Sequence, residues 1–247
     1  MIHTYKYPLP AVTVDMAIFT IYHGSLKVLL IKRRDEPFKD SWALPGGFVD
    51  VGVGHAPEGP QGESLDAAAE RELLEETSLQ RDRDGVFLEQ LYTFGAPSRD
   101  PRGRVISVAY YALTSPQAYY RVQAGDDAIE TRWINIWAAE GMGAYNLDPD
   151  ARGKDTWEFA LAFDHAQILS TAVERIRGKI DYDPRLVKAL LPVEFTAKEF
   201  RRVHEVVKAE TYDSSNFRKR FKRMVEDGRF IETGGQKEPQ GSGRPAP

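Results

Sequence analysis

The chain has 247 residues, is 42% hydrophobic and 28% charged, contains no cysteine and carries a formal charge of −4. That composition excludes a disulfide scaffold and a thiolate metal site, and fits a globular protein of one large or two smaller domains around a buried core. The N-terminus, MIHTYKYPLP, has no basic stretch leading into an apolar run, and no apolar stretch approaches the ~20 residues that span a bilayer. The expectation is a cytoplasmic protein with no membrane partner.

In chain order, AVTVDMAIFTIY (11–22) and LKVLLIKRR (26–34) are apolar, β-branched runs about the turn HGS, and read as two strands. SWALPGGFVD (41–50) ends an apolar run in Pro-Gly-Gly punctuation, and HAPEGPQG (55–62) reads as a surface loop. ESLDAAAERELLEET (63–77) lacks glycine and proline and predicts a helix. FLEQLYTF (87–94) and RVISVAYYAL (104–113) predict strands on either side of the polar loop GAPSRDPRG, and ETRWINIW (130–137) predicts another. NLDPDARGKD (146–155) reads as a loop. In FDHAQILSTAVERIRGKI (163–180), Ile168, Leu169, Ala172, Val173 and Ile176 recur at helical spacing, with Asp164 as cap and Gly178 as stop. DYDPRLVKALLP (181–192) then reads as a connection.

The last part of the chain is built differently. Thr196 and Glu199 form a capping box before FRRVHEVV, and a second helix spans DSSNFRKRFKRMVEDG (213–228), capped by Asp213 or Ser214 and stopped by Gly228. Its apolar stripe is Phe217, Phe221, Met224 and Val225. RFIET (229–233) reads as a strand and GGQKEPQGSGR as a flexible basic tip. Helix, turn, basic helix, strand and glycine-rich tip together predict a winged helix-turn-helix. Charge separates the two parts: from Val193 onward there are 12 Lys/Arg against 9 Asp/Glu, whereas the rest of the chain is net −7.

RELLEET (71–77) puts Glu72, Glu75 and Glu76 within roughly 100° of one helix face, with Arg71 beside them to orient a glutamate. Three carboxylates so close repel one another unless solvent or a cation intervenes, and hard cations such as Mg²⁺ suit carboxylate oxygens. Taken alone, such a pattern is usually a solvated acidic face. Its surroundings make it more: with Gly47, Glu63, Leu73 and Leu79, the string resembles the Nudix box, G-x5-E-x7-R-E-U-x-E-E-x-G-U, where U is aliphatic. Two features depart from that pattern. Residues 48–62 separate Gly47 from Glu63 where the family has five, an insertion of ten, and Ser78 stands where the family has glycine. Long surface loops add little closure entropy, so the insertion bears on substrate fit more than on metal binding.

The likeness continues through EQLYTFGAPSRDPRGRVISVAYYAL, AGDDA, LAFDHAQIL and NFRKRF…GRF…GSGRPA, and the whole resembles the Nudix-related transcriptional regulators, NrtR. The resemblance implies an α/β fold: a Nudix α/β/α sandwich with a mixed sheet over residues 1–180, then a winged helix over 181–247. It implies a domain that senses ADP-ribose, joined to one that binds promoters of NAD-metabolism genes as double-stranded DNA, in a homodimer reading a palindromic operator. It further implies Mg²⁺, or Mn²⁺ in its place, held by the Gly46 carbonyl, Glu72, Glu75 and Glu76. Glu72, Glu76 and Arg71 would be catalytic. Some members of the family have a degraded box and only bind ligand. Here the glutamates are intact, so ADP-ribose pyrophosphatase activity is expected beside sensing.

The other candidates follow from residue type. Ser214, Ser215, Asn216, Arg218, Lys219, Arg220, Lys222 and Arg223 fall on or near the helix face opposite the apolar stripe, and with Arg244 in the tip suit phosphates and base edges. Arg99, Arg102 and Arg104 are either ligand-phosphate contacts or plain loop charges. Phe38 and Trp42 either stack on adenine or belong to the core. His165 either caps a helix or lines a pocket, the remaining histidines show no metal-ligand spacing, and Asp126 and Asp127 read as turn formers. The competing function is a dedicated Nudix hydrolase whose C-terminal unit serves dimerisation. RNA decapping ranks below both, because the basic residues lie in a helix-turn-helix pattern and not along an aromatic groove.

Overall fold

Val14, Met16 and Ile18 pack on one side of the first strand, Ala17, Phe19 and Ile21 on the other, and all six are buried. A strand apolar on both faces must lie inside a sheet covered on both sides. In the computed structural model, which describes residues 6–52, 62–122, 128–138, 145–148, 161–231 and 233, that strand is β1 (Ala11–Tyr22). It pairs in parallel with β6 (Val105–Leu113), from Ala11 opposite Val105 to Phe19 opposite Leu113, and antiparallel with β2 (Ser25–Arg33). With β5 (Phe87–Phe94), β7 (Ala128–Ala138) and β8 (Tyr145–Asp148) the sheet runs β5-β6-β1-β2-β7-β8. Short β3 (Trp42–Ala43) joins β2, and β4 (Gly46–Phe48) joins β1.

One face carries α1 (Leu65–Thr77), whose Ala68, Ala69 and Leu73 meet Val14, Met16 and Ile18. The opposite face carries α3 (His165–Lys179), whose expected stripe of Ile168, Leu169, Ala172, Val173 and Ile176 is fully buried. The mixed-sheet α/β/α sandwich is therefore present. A short α2 (Arg81–Asp84) and a 3₁₀ turn at Pro116–Tyr120 were not legible in the sequence.

The C-terminal helices continue the α3-side core. α4 (Pro184–Ala189), α5 (Ala197–Lys208) and α6 (Ser214–Glu226) bring Leu186, Phe200, Val207, Phe217 and Met224 into it. Both halves of the Thr196/Glu199 capping box form, and Asp213 caps α6 through the Asn216 amide. Phe195, Phe200, Phe217, Phe221 and Phe230 make one aromatic cluster, with ring centroids 5.2–6.4 Å apart.

Several expectations change. Asn146–Asp148, read as loop, lie in β8 because Asn135–Ala138 of β7 offer them an antiparallel edge. Residues 181–192 are not a plain connection: Asp183 accepts the Arg185 amide and Pro184 opens α4. α3 runs through Gly178, since burial of Ile176 and Ile180 holds its last turn, and the Ile180 amide bonds the Ile176 carbonyl at 2.9 Å. Asp164 sits at the start of α3 but makes no side-chain cap bond, its carboxylate being taken by Arg99. Residues 229–231 form no strand; a strand needs a pairing partner, and Phe230 packs into the aromatic cluster instead. Most of the ten-residue insertion, Asp126, Asp127 and the tip with Arg244 lie outside the described residues.

Candidate functional site

β1 changes partners along its length. Phe19–Tyr22 pair with β2, while Thr13, Val14 and Asp15 pair with Phe48, Gly47 and Gly46 of β4. Where β2 and β4 diverge, a cleft of about 870 Å³ opens between α1, the β2 end and the start of α3.

The acidic wall of the cleft is organised by Arg71. Its guanidinium grips Glu63 by two bonds (2.6 and 3.0 Å), and it also reaches Glu72 at 2.7 Å, Glu75 at 2.8 Å and the Phe48 carbonyl at 3.0 Å. Expected to orient one glutamate, it holds three carboxylates. Glu72 and Glu76 are buried, while the Glu75 side chain is largely exposed. Burial pushes the Glu72 carboxyl above the usual glutamate range, against the hydrogen bond from Arg71 that pulls it down. Arg71 holds Glu63 below that range. The twin glycines follow from this crowding: a Cβ on Gly47 would lie 2.2 Å from Glu72 Oε1, and one on Gly46 2.2 Å from the Val14 carbonyl. Arg71 Nη1 stands between Glu72 and Glu75, and among the described residues no three acidic or histidine side chains converge as a ready-made metal cage.

Ser78 ends α1 in the left-handed conformation, φ 58°, with its amide on the Leu74 carbonyl. The position where the Nudix pattern has glycine is thus one whose backbone favours glycine.

The floor of the cleft is a buried polar network of which the sequence singled out only Arg99, as a ligand contact or loop charge, Asp164, as a helix cap, and His165, as a cap or pocket-lining residue; Asp15 and Ser107 were missed. Arg99 makes two bonds to Asp164 (2.7 and 3.0 Å) and one to Asp15 at 3.1 Å, and Ser107 donates to Asp15. His165 Nδ1 accepts the Leu44 amide at 2.8 Å, which leaves the ring proton on Nε2, 3.5 Å from Asp15 Oδ1. Burial keeps this imidazole neutral by lowering its pKa. Only spacing across three elements brings these residues together, so no local pattern could announce them.

The remaining candidates separate. Arg99 and Arg102 line the cleft, but Arg99 is clamped by two carboxylates and Arg102 by Asp100 (2.7 and 3.0 Å), with its guanidinium 5.1 Å from the Phe48 ring centroid. Arg104 is not among the lining residues and donates to the Gly95 carbonyl at 2.7 Å. Phe38 meets Phe163 edge-on at 4.8 Å, and Trp42 packs partly buried against the core under Arg132. Neither lines the cleft.

On α6, Ser214, Ser215, Asn216, Arg218, Lys219, Lys222 and Arg223 are exposed. Arg220 differs: it turns back to Asp181, Nη1 to Oδ1 at 3.1 Å, and bonds the Asp181 carbonyl. Among the described residues no helix is long and apolar enough to cross a membrane.

A NUDIX domain model matches residues 12–155, and an NrtR DNA-binding winged helix domain model matches 187–247. The chain belongs to the NrtR family of Nudix proteins. It is 36% identical over 227 residues to the ADPR responsive transcriptional repressor NtrR of Acinetobacter baylyi, covering 92% of this chain and 77% of that relative. It is 37% identical over 160 residues to an ADP-ribose pyrophosphatase of Methanocaldococcus jannaschii, 65% of this chain and 71% of that one. Among solved structures, Shewanella oneidensis NrtR complexed with a 27mer DNA superposes with a TM-score of 0.68 at 32% identity, covering 94% of this chain and 90% of that chain. The NrtR architecture thus accounts for both the Nudix helix and the basic helix at the other end of the chain.

Proposed function

We propose that the chain is an ADP-ribose-responsive, DNA-binding transcriptional regulator of NAD metabolism that retains Mg²⁺-dependent ADP-ribose pyrophosphatase activity. The observation that carries this reading is the pairing, in one chain, of the Arg71-centred carboxylates at a cleft with an exposed cationic face on α6. Residues 1–180 form the ligand domain and 181–247 the DNA-binding domain, working in a cytoplasmic homodimer on a two-fold symmetric operator.

Glu72, Glu75, Glu76 and the Gly46 carbonyl are the donors offered to the metal. Their all-oxygen, anionic chemistry fits a hard cation such as Mg²⁺, which takes one or two carboxylates and leaves its other positions to water and phosphate, so a complete protein cage is not required. When bound, such an ion neutralises diphosphate charge and acidifies water. Arg71 fixes the carboxylates in position. Glu72, whose proton affinity burial raises, takes the proton of the attacking water. Arg218, Lys219, Lys222 and Arg223 neutralise DNA phosphates, and Ser214, Ser215 and Asn216 at the start of the recognition helix face base edges.

The intact glutamates favour a second reading, a dedicated hydrolase with a C-terminal dimerisation unit. Fluorescence anisotropy with DNA from upstream of the protein's own gene separates the two, run with and without ADP-ribose and without Mg²⁺. Salt-dependent binding that ADP-ribose alters supports the regulator. No preference over random DNA in either condition supports the hydrolase.

A further inference from the structure

Among the described residues five arginines line the cleft, and four of them face a carboxylate: Arg34, Arg71, Arg99 and Arg102 each have one at 3.6 Å or closer. Arg33 is the exception. Among the described residues it forms no ion pair, and its guanidinium donates only to two backbone carbonyls, Nε to Pro37 at 2.9 Å and Nη2 to Asp35 at 3.4 Å. A guanidinium has five N–H donors, so three remain, including both on Nη1. The group is half-buried against the Phe163 ring, 5.0 Å from its centroid, where a hydrogen-bonded anion is worth more than in open water. Phe163 itself lines the cleft at the step from the sheet into α3.

The position is held from the backbone. The Arg33 amide and carbonyl bond Ser41 and Asp40, both at 3.0 Å, closing the loop that follows β2. Regular pairing of β2 with β7 slips between Lys32 and Arg33, a form of irregularity common beside binding sites. Burial and the neighbouring Arg102 depress the Arg33 pKa, outweighing the pull of Asp100, Asp35 and Asp15, none of which forms an ion pair with it. Across the cleft the α1 wall presents Glu72, Glu75 and Glu76 around Arg71, whereas Arg33 shares its side with Arg34, Asp35 and Glu36.

We propose that Arg33 is the anion-binding residue of this cleft, contacting a phosphate of the ligand directly and without a metal, so that ligand sensing is separable from metal-dependent hydrolysis. This rests on reading the cleft as the site of a diphosphate ligand. The acidic wall then serves the reaction and Arg33 serves recognition.

The test is calorimetric titration of the full-length protein in EDTA with three probes: ADP-ribose, inorganic pyrophosphate and adenosine. ADP-ribose is expected to bind the wild-type protein without metal. Arg33→Gln should weaken it by about tenfold to a hundredfold, the usual span for a charged hydrogen bond. Arg33→Lys should recover part of the loss, and adenosine should respond to neither change, which a merely misfolded cleft would not reproduce. Affinities for both anions within twofold of wild type in Arg33→Gln overturn the proposal, as does failure of both anions to bind wild-type protein in EDTA. Pyrophosphate binding that Arg33→Gln removes, with no binding of ADP-ribose, supports the anion subsite and overturns the ADP-ribose reading.

Discussion

Arg71 grips Glu63 through two nitrogens, Nη2 to Oε1 at 2.6 Å and Nε to Oε2 at 3.0 Å, and so ties the chain leading into α1 to the middle of that helix. Its third nitrogen, Nη1, then lies between Glu72 and Glu75. Glu63 touches no reacting group in this arrangement; it aims the arginine that aims the others. Glu63→Gln is therefore expected to lower kcat for ADP-ribose by about 10–100-fold, the span typical of partners that orient metal ligands, with ligand affinity in EDTA little changed. Steady-state kinetics beside metal-free calorimetry checks this, and an unaltered kcat would remove Glu63 from the machinery.

Glu72 is buried and its carboxyl sits above the ordinary range, chiefly through desolvation. A carboxyl raised in the folded state adds stability below its unfolded pKa and loses it as the pH rises through the folded value. At neutral pH the ionised group is a cost that an amide lacks. Glu72→Gln should raise Tm at neutral pH while cutting kcat by about 10²–10⁴-fold. The Tm difference from wild type should shrink as the pH falls toward the ordinary glutamate range. Thermal melts across that range decide it, and a lower Tm for the variant at every pH would contradict the burial argument.

Ser78 occupies the left-handed conformation that glycine takes in the Nudix pattern. A side chain there is strained by roughly 1–2 kcal/mol, part of which is offset by the greater backbone freedom glycine brings to the unfolded chain. Ser78→Gly is expected to stabilise the protein by about 0.5–1 kcal/mol, read from urea unfolding. A destabilised variant would mean that the serine side chain, which lines the cleft, makes up the difference.

What the sequence revealed was local or periodic. The β1 and β2 runs, the α1 carboxylates, the α3 stripe and the α5 capping box each announce themselves within about a dozen residues, and each is present. The cleft floor was hidden for the opposite reason: Asp15, Arg99, Ser107 and Asp164 are far apart in sequence and meet only because β1 lies between β4 and β6 and α3 begins beside them. Asp164 shows how a local rule loses to a tertiary one, since a residue well suited to cap α3 gives both carboxylate oxygens to Arg99. Arg33 was invisible because its distinction is a missing partner, which no sequence pattern encodes.

The basic face of α6 is heterogeneous. Arg218 and Lys222 are exposed, and each phosphate neutralised changes the log–log slope of DNA affinity against salt by about 0.9. Arg218→Gln and Lys222→Gln should each reduce that slope by roughly one unit. Arg220, held on Asp181, should contribute almost nothing to the slope when changed to Gln. Anisotropy titrations over a salt series separate the three variants, and an equal loss for all three would return Arg220 to the DNA face.

Asp181 stands between α3 and α4 and accepts from Lys208 on α5 and from Arg220 on α6, both at 3.1 Å. Burial alone would raise its pKa; the two cations outweigh that and hold it below 3.8. A carboxylate depressed in this way contributes stability that is complete above its unfolded value and is lost as the pH falls through the folded one. The urea midpoint of the wild-type protein should therefore fall more steeply than that of Asp181→Asn between about pH 5 and about pH 3, while the two curves run parallel from about pH 5 to about pH 8. Because the group is partly exposed, the gap above pH 5 should be small. Identical acid slopes would show that the link between α6 and the α3–α4 junction rests on the shared apolar core alone.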